Sequence, residues 1–150
     1  MEKTLKMSKQ CWTFALTILT CSLAFAQSGK NVVSHDGSCQ ITVPASWNVN
    51  GNFGSANSAD KKVSATTSSP KMISSFDELK QNAQKVYAND KVTKSSGTEF
   101  EMEGQSMNGK PNVYRGIPIA GGKYCIVEVV YESGTAADAR KIAETMKSAK

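Results

Sequence analysis

The chain has 150 residues, with 18 Lys and Arg against 13 Asp and Glu, a formal net charge of +5, four Cys and a single His. One histidine and no C-x-x-C spacing argue against a zinc centre or a thiol-redox pair. The lysines are scattered rather than interleaved with aromatics, so nucleic-acid binding is not expected.

Residues 1–26 have the layout of a cleavable secretory leader. Lys3, Lys6 and Lys9 make a basic start, residues 11–26 carry no charge, and Ala24-Phe25-Ala26 offers the small-x-small pattern a signal peptidase accepts, placing cleavage between Ala26 and Gln27. The uncharged stretch is short of the ~20 apolar residues a spanning helix needs and is broken by Thr and Ser, so no membrane span is expected after cleavage. An alternative is a surface lipoprotein anchored through Cys21, although Thr20 is a poor residue to precede an acylated cysteine. Without the leader 124 residues remain, enough for one domain, and the net charge falls to +3.

Cys39 and Cys125 are then the two remaining cysteines. In an oxidising compartment such a pair is expected to form a disulfide, worth about 4–5 kcal/mol for so long a loop. Cys39, Ile41 and Val43 alternate on one strand, and Cys125, Val127, Val129 and Tyr131 on another, so both sulfurs belong to apolar strand faces.

Residues 27–37 read as a short polar lead-in with a turn at Asp36-Gly37, and a single α+β domain occupies residues 38–150. A strand over 38–43 ends at Pro44, with Trp47 folding back over its end. Residues 48–60 suggest a hairpin of weak strands or a strand with a mobile loop, and 61–67 a further strand. Ser75 and Glu78 form a capping-box pattern before a helix over 76–88, whose stripe is Phe76, Leu79, Ala83 and Val86. Three strands follow, within 92–103, 112–119 and 123–132, and Pro118 implies an edge or a bulge in the second. Thr135 caps a last helix with the narrow stripe Ala136, Ala139, Ile142, Ala143 and Met146. The expected architecture is an antiparallel sheet flanked by helices, in the order strands, helix, three strands, helix.

Ile41-x-Val43-Pro44-x-x-Trp47, the capped helix, the run Tyr114-Arg115 … Gly122-Lys123-Tyr124-x-Ile126 … Tyr131-x-x-Gly134 and the closing helix together resemble the PsbP-like (Mog/PsbP) superfamily. The similarity spans residues 38–150 and rests on element order and a few anchors. It implies an α/β/α sandwich, a bacterial exported protein and a non-enzymatic accessory or binding role.

Candidate chemistry is sparse. His35-Asp36 lies in a polar segment, and no G-x-S-x-G elbow or second histidine supports a serine triad. Alternation puts Glu99, Glu101 and Glu103 on one strand face, a ladder that could hold a cation or pair an acid with a base. The simpler expectation is a solvated face with Lys110, Arg115 or Lys123 as cross-strand partners. Trp47, Glu101, Tyr114, Arg115 and Tyr124 are the residues expected around a ligand groove, if one exists. The sequence therefore points to a secreted or periplasmic, non-catalytic binding or accessory domain that uses no cofactor and contacts an unknown protein or small ligand. The alternative is an enzyme or cation-binding protein working through Glu99, Glu101 and Glu103 or through His35.

Overall fold

The computed structural model describes residues 29–150. The leader, its cleavage point at Ala26 and Gln27, and Cys21 lie outside the described residues.

The fold is mixed α and β, mostly strand, with two helices and two antiparallel sheets. Strand β1 (Lys30–Val33) occupies the stretch expected to be a polar lead-in. Its one buried apolar residue, Val32, is too little to show a period-two pattern in the sequence. A tight turn makes the strand possible, because the Ser34 hydroxyl accepts the amides of Ser38 and Cys39 at 3.2 and 3.0 Å. The chain returns as β2 (Cys39–Val43), antiparallel to β1.

Strands β3 (Asn48–Asn50) and β4 (Ser55–Asn57) form the hairpin of weak strands, joined by a 3-10 turn at Gly51–Phe53. Gly54 closes that turn at φ 59°, where a side chain would be strained and would also press on the Thr67 carbonyl. Next come β5 (Val63–Ser68), helix α1 (Phe76–Val86) and strands β6 (Lys91–Ser95), β7 (Phe100–Gln105), β8 (Pro111–Ile119) and β9 (Lys123–Tyr131). Helix α2 (Ala136–Glu144) and the two-residue strand β10 (Lys147–Ser148) complete the chain.

The large sheet runs β3-β4-β5-β9-β8-β7-β6, and the small one β1-β2-β10. Helix α1 covers one face of the large sheet, where Leu79 and Ala83 are buried with Phe100, Met102, Tyr114 and Tyr124. On the other face Val113, Cys125, Val127 and Val129 meet Val32, Cys39, Ile41, Val43 and Trp47 of the small-sheet region and Ala139 and Ala143 of α2. That second face thus carries a helix and a sheet side by side.

Several expectations are corrected. The strand over 38–43 belongs to a separate small sheet rather than to one continuous sheet, because β10 pairs with its free edge after α2. Residues 92–103 make two strands. Ser96 turns the chain by accepting the amides of Thr98 and Glu99 on its hydroxyl, and its own amide donates to the Glu99 carbonyl. Four strands, not three, therefore separate the helices. Strand β8 is interior, yet it tolerates Pro118 because β7 pairs only as far as Gly116, leaving residues 117–119 without a neighbour on that side. Helix α1 ends at Val86, two residues early. Its Ser75 hydroxyl accepts the Glu78 amide at 3.1 Å as expected, but the Glu78 carboxylate takes the amide of Ser74. Helix α2 has the full reciprocal box between Thr135 and Asp138.

Candidate functional site

The two sheets are stapled by a disulfide between Cys39 of β2 and Cys125 of β9, with Cα atoms 5.5 Å apart and both residues fully buried. A bridge of this kind is compatible with an exported protein. It holds β2 against the large sheet and so fixes one wall of the cleft described next.

That cleft, of about 690 Å³, opens where the ends of β2 and β9 meet α2. Val43, Pro44 and Trp47 form one wall, Val63 and Tyr131 the floor, and Ala139 and Ile142 of α2 the opposite wall. Trp47 is positioned by a turn in which its amide donates to the Pro44 carbonyl, while the Lys30 ammonium donates to the Trp47 carbonyl at 2.9 Å. Helix α2 is tied to β2 through Thr145, whose hydroxyl takes the Thr42 amide at 2.8 Å. Polar groups at the rim are already engaged. Thr135 donates to Asp138 at 2.9 Å, and Lys141 pairs with Asp138 at 3.6 Å. Those two charges pair with each other at the rim, and the residues between β2, β9 and α2 that line the cleft are mostly apolar.

The glutamate ladder is not a solvated face. Glu99, Glu101 and Glu103 do share one side of β7, but that side looks at α2, and Glu101 is fully buried. Thr93 donates to Glu101 Oε1 at 2.8 Å, Arg140 of α2 reaches the same oxygen at 3.1 Å, and Lys94 stands 3.7 Å from Oε2. Arg140 also meets Glu103. Arg115 donates to Glu99 at 2.9 Å and, through its other arm, to the Ala143 carbonyl at the C-terminal end of α2. Burial would push the Glu99 carboxyl up, but Arg115 and Lys94 hold it below its ordinary value. The Glu144 carboxylate first, and then Glu101 and Glu99, raise the Lys94 ammonium. Of the three expected partners only Arg115 joins the ladder; Lys110 pairs with Glu132, and Lys123 lies near the Ser38 hydroxyl.

Both of the chain's arginines are thus spent on these carboxylates. Lys94 and Arg140 were missed from sequence. Arg140 directly follows Ala139 of the buried stripe, and that position at the edge of the stripe was the available signal. Among the described residues no group of three or more His, Cys, Asp or Glu is arranged to hold a metal ion.

The residues expected around a groove do not converge. Trp47 lines the cleft, and Glu101 and Arg115 belong to the ion network beside α2. Tyr114 and Tyr124 lie on the opposite face, under α1, where Phe76 stacks on Tyr124 with centroids 6.0 Å apart and the Tyr87 ring meets Tyr114 at a 45° tilt, centroids 5.6 Å apart. Burial pushes the Tyr114 hydroxyl well above its ordinary value. His35 is exposed, with Nδ1 3.2 Å from the Asn52 carbonyl. Among the described residues no helix is long and apolar enough to cross a membrane. No protein-family model matches the chain, and no curated protein matches it.

Proposed function

We propose that this is a secreted or periplasmic, non-catalytic binding module of PsbP-like fold, whose ligand is a small uncharged apolar molecule held in the cleft between Trp47 and α2. The observation that carries the reading is the cleft itself. At about 690 Å³ it is in the size range of small-molecule sites, roughly 300–1,000 Å³, and its walls are apolar. Val43, Pro44 and Trp47, which line it, are among the anchors of the family resemblance. The mutual pairing of Asp138 and Lys141 at the rim favours a neutral ligand over a charged one. The alternative of catalysis by the glutamate ladder gains little support, since its carboxylates are neutralised by Arg115, Arg140 and Lys94.

After removal of the leader Trp47 is the sole tryptophan, so its fluorescence reports on the cleft alone. Titration with N-phenyl-1-naphthylamine is expected to quench Trp47 saturably, and Ile142→Lys to abolish the quenching while leaving the far-ultraviolet dichroism unchanged. Linear, unsaturable quenching in the unaltered protein would overturn the proposal.

A further inference from the structure

Asparagine followed by glycine occurs twice in the chain, at Asn50-Gly51 and Asn108-Gly109, and all four residues are exposed. Such a pair is chemically reactive, because glycine has no side chain to keep its amide nitrogen away from the preceding carboxamide carbon. The two pairs read alike in sequence, but the fold treats them differently. Asn108 sits in a clamped turn between β7 and β8. Its Oδ1 accepts the Ser106 hydroxyl and, at 3.2 Å, the Lys110 amide, while the Gly109 amide donates to the Ser106 carbonyl at 2.8 Å. The chain builds the same clamp with Ser34 and Asp36 and with Ser58 and Asp60. There the carboxylates accept the serine hydroxyls at 2.7 and 2.6 Å and the amides of Ser38 and Lys62 at 3.1 Å. Asn50 has none of this. It ends β3, its side chain makes no cap hydrogen bond, and Gly51 opens the 3-10 turn, where an amide has no acceptor within the helix. A Cβ placed on Gly51 would meet nothing within 4 Å.

We propose that Asn50 is a site of spontaneous modification, converting to aspartate and isoaspartate through a cyclic imide, while Asn108 is spared by its turn. The Gly51 nitrogen bonds to Cγ of Asn50, and the carboxamide nitrogen leaves as ammonia, carrying the displaced proton. Water then opens either carbonyl–nitrogen bond of the ring, so one water enters for each ammonia lost and nothing is oxidised or reduced. Ring closure requires rotation about the Asn50 Cα–C bond away from its ψ of 89°. Little holds that bond in place, since residues 48–50 are all exposed and β3 is an edge strand that pairs in its sheet with β4 alone. At Asn108 the same closure must first break the bonds to Ser106 and Lys110 and free the Gly109 amide. Conversion puts a negative charge into residues 48–59, which carry none. Opening to isoaspartate also lengthens the backbone by one carbon where Asn50 pairs with Ser55. This reading does not depend on the Trp47 cleft.

The purified, disulfide-bonded protein is held in mildly alkaline buffer, with and without guanidinium chloride. Conversion at each asparagine is followed by peptide mapping, with fragmentation that separates aspartate from isoaspartate. In the folded protein Asn50 is expected to convert at least about tenfold faster than Asn108, and in denaturant the two rates should converge. Ser106→Ala should speed conversion of Asn108 in the folded protein, and Gly51→Ala should suppress that of Asn50. Equal rates in the folded protein, a folded-state Asn50 that stays intact, a gap that persists in denaturant, or an Asn108 rate unmoved by Ser106→Ala would each overturn the proposal. Should Ser106→Ala fail to fold, the comparison of Asn50 with Asn108 in the unaltered protein still decides.

Discussion

Arg140 of α2 and Glu101 of β7 meet at 3.1 Å, and the Glu101 side chain has no solvent exposure. A carboxylate taken out of water survives only with compensation from opposite charge and hydrogen bonds. Truncation of Arg140 removes one of three partners, leaving Thr93 and Lys94. Arg140→Ala is therefore expected to lower stability by about 2–3 kcal/mol, below the ~3–5 kcal/mol of a buried pair broken outright. Replacing both residues, as Glu101→Met with Arg140→Leu, should cost less than Arg140→Ala alone. Urea unfolding with an unchanged slope is the measurement, and a double variant no better than the single one would contradict this account.

The Cys39–Cys125 bridge closes a loop of sequence separation 86 between two sheets that share no strand. Cys39→Ala with Cys125→Ala is expected to lose about 4–5 kcal/mol, mostly by releasing the unfolded chain. Unfolding of the oxidised and alanine forms at equal ionic strength measures the difference. Thiol titration of the purified protein without reductant should find no free cysteine.

Asp36 contributes a small part of the acid limb of stability, at the β1–β2 turn. Its carboxylate accepts the Ser38 hydroxyl at 2.6 Å, the Ser34 hydroxyl at 2.7 Å and the Ser38 amide at 3.1 Å. The Ser38 hydroxyl is the main cause holding its pKa at about 2 instead of 3.8. A carboxyl depressed in the folded state stabilises fully above its unfolded pKa and loses that contribution as pH falls through its folded one. Stability should thus decline from about pH 4 toward pH 2, and Asp36→Asn should remove that part of the slope. The effect is small because the group is exposed. Thermal melts between pH 2 and pH 6 compare the two proteins, and parallel curves would refute the assignment.

Processing of the leader is testable by mass. Protein recovered from the exported fraction is expected to begin at Gln27, and a mass consistent with acylated Cys21 would replace the soluble reading with an anchored one.

Much of the local structure was legible. The Thr135 cap, the Ser75 hydroxyl at the start of α1 and the alternation of Cys39-Ile41-Val43 and Cys125-Val127-Val129 are written in neighbouring residues, and the chain uses them as they read. Strand β1 was missed because a single buried valine among polar neighbours has no period, and β6 was merged with β7 because the Ser96 turn depends on one hydroxyl. The ladder of Glu99, Glu101 and Glu103 was placed on one face correctly, while its environment was not, since solvent and a helix look alike from a strand's own alternation.

By itself the sequence determined the apolar faces, the helix starts and the pair of cysteines. These follow from spacing and side-chain chemistry within a few residues. Only the tertiary structure decided that β2 leaves the main sheet, that α2 brings Arg140 over Glu101, and that Trp47 walls a cleft while Tyr114 and Tyr124 lie under α1. Those outcomes depend on which surfaces pack together across dozens of residues, and packing rewards total burial and charge pairing rather than any local pattern.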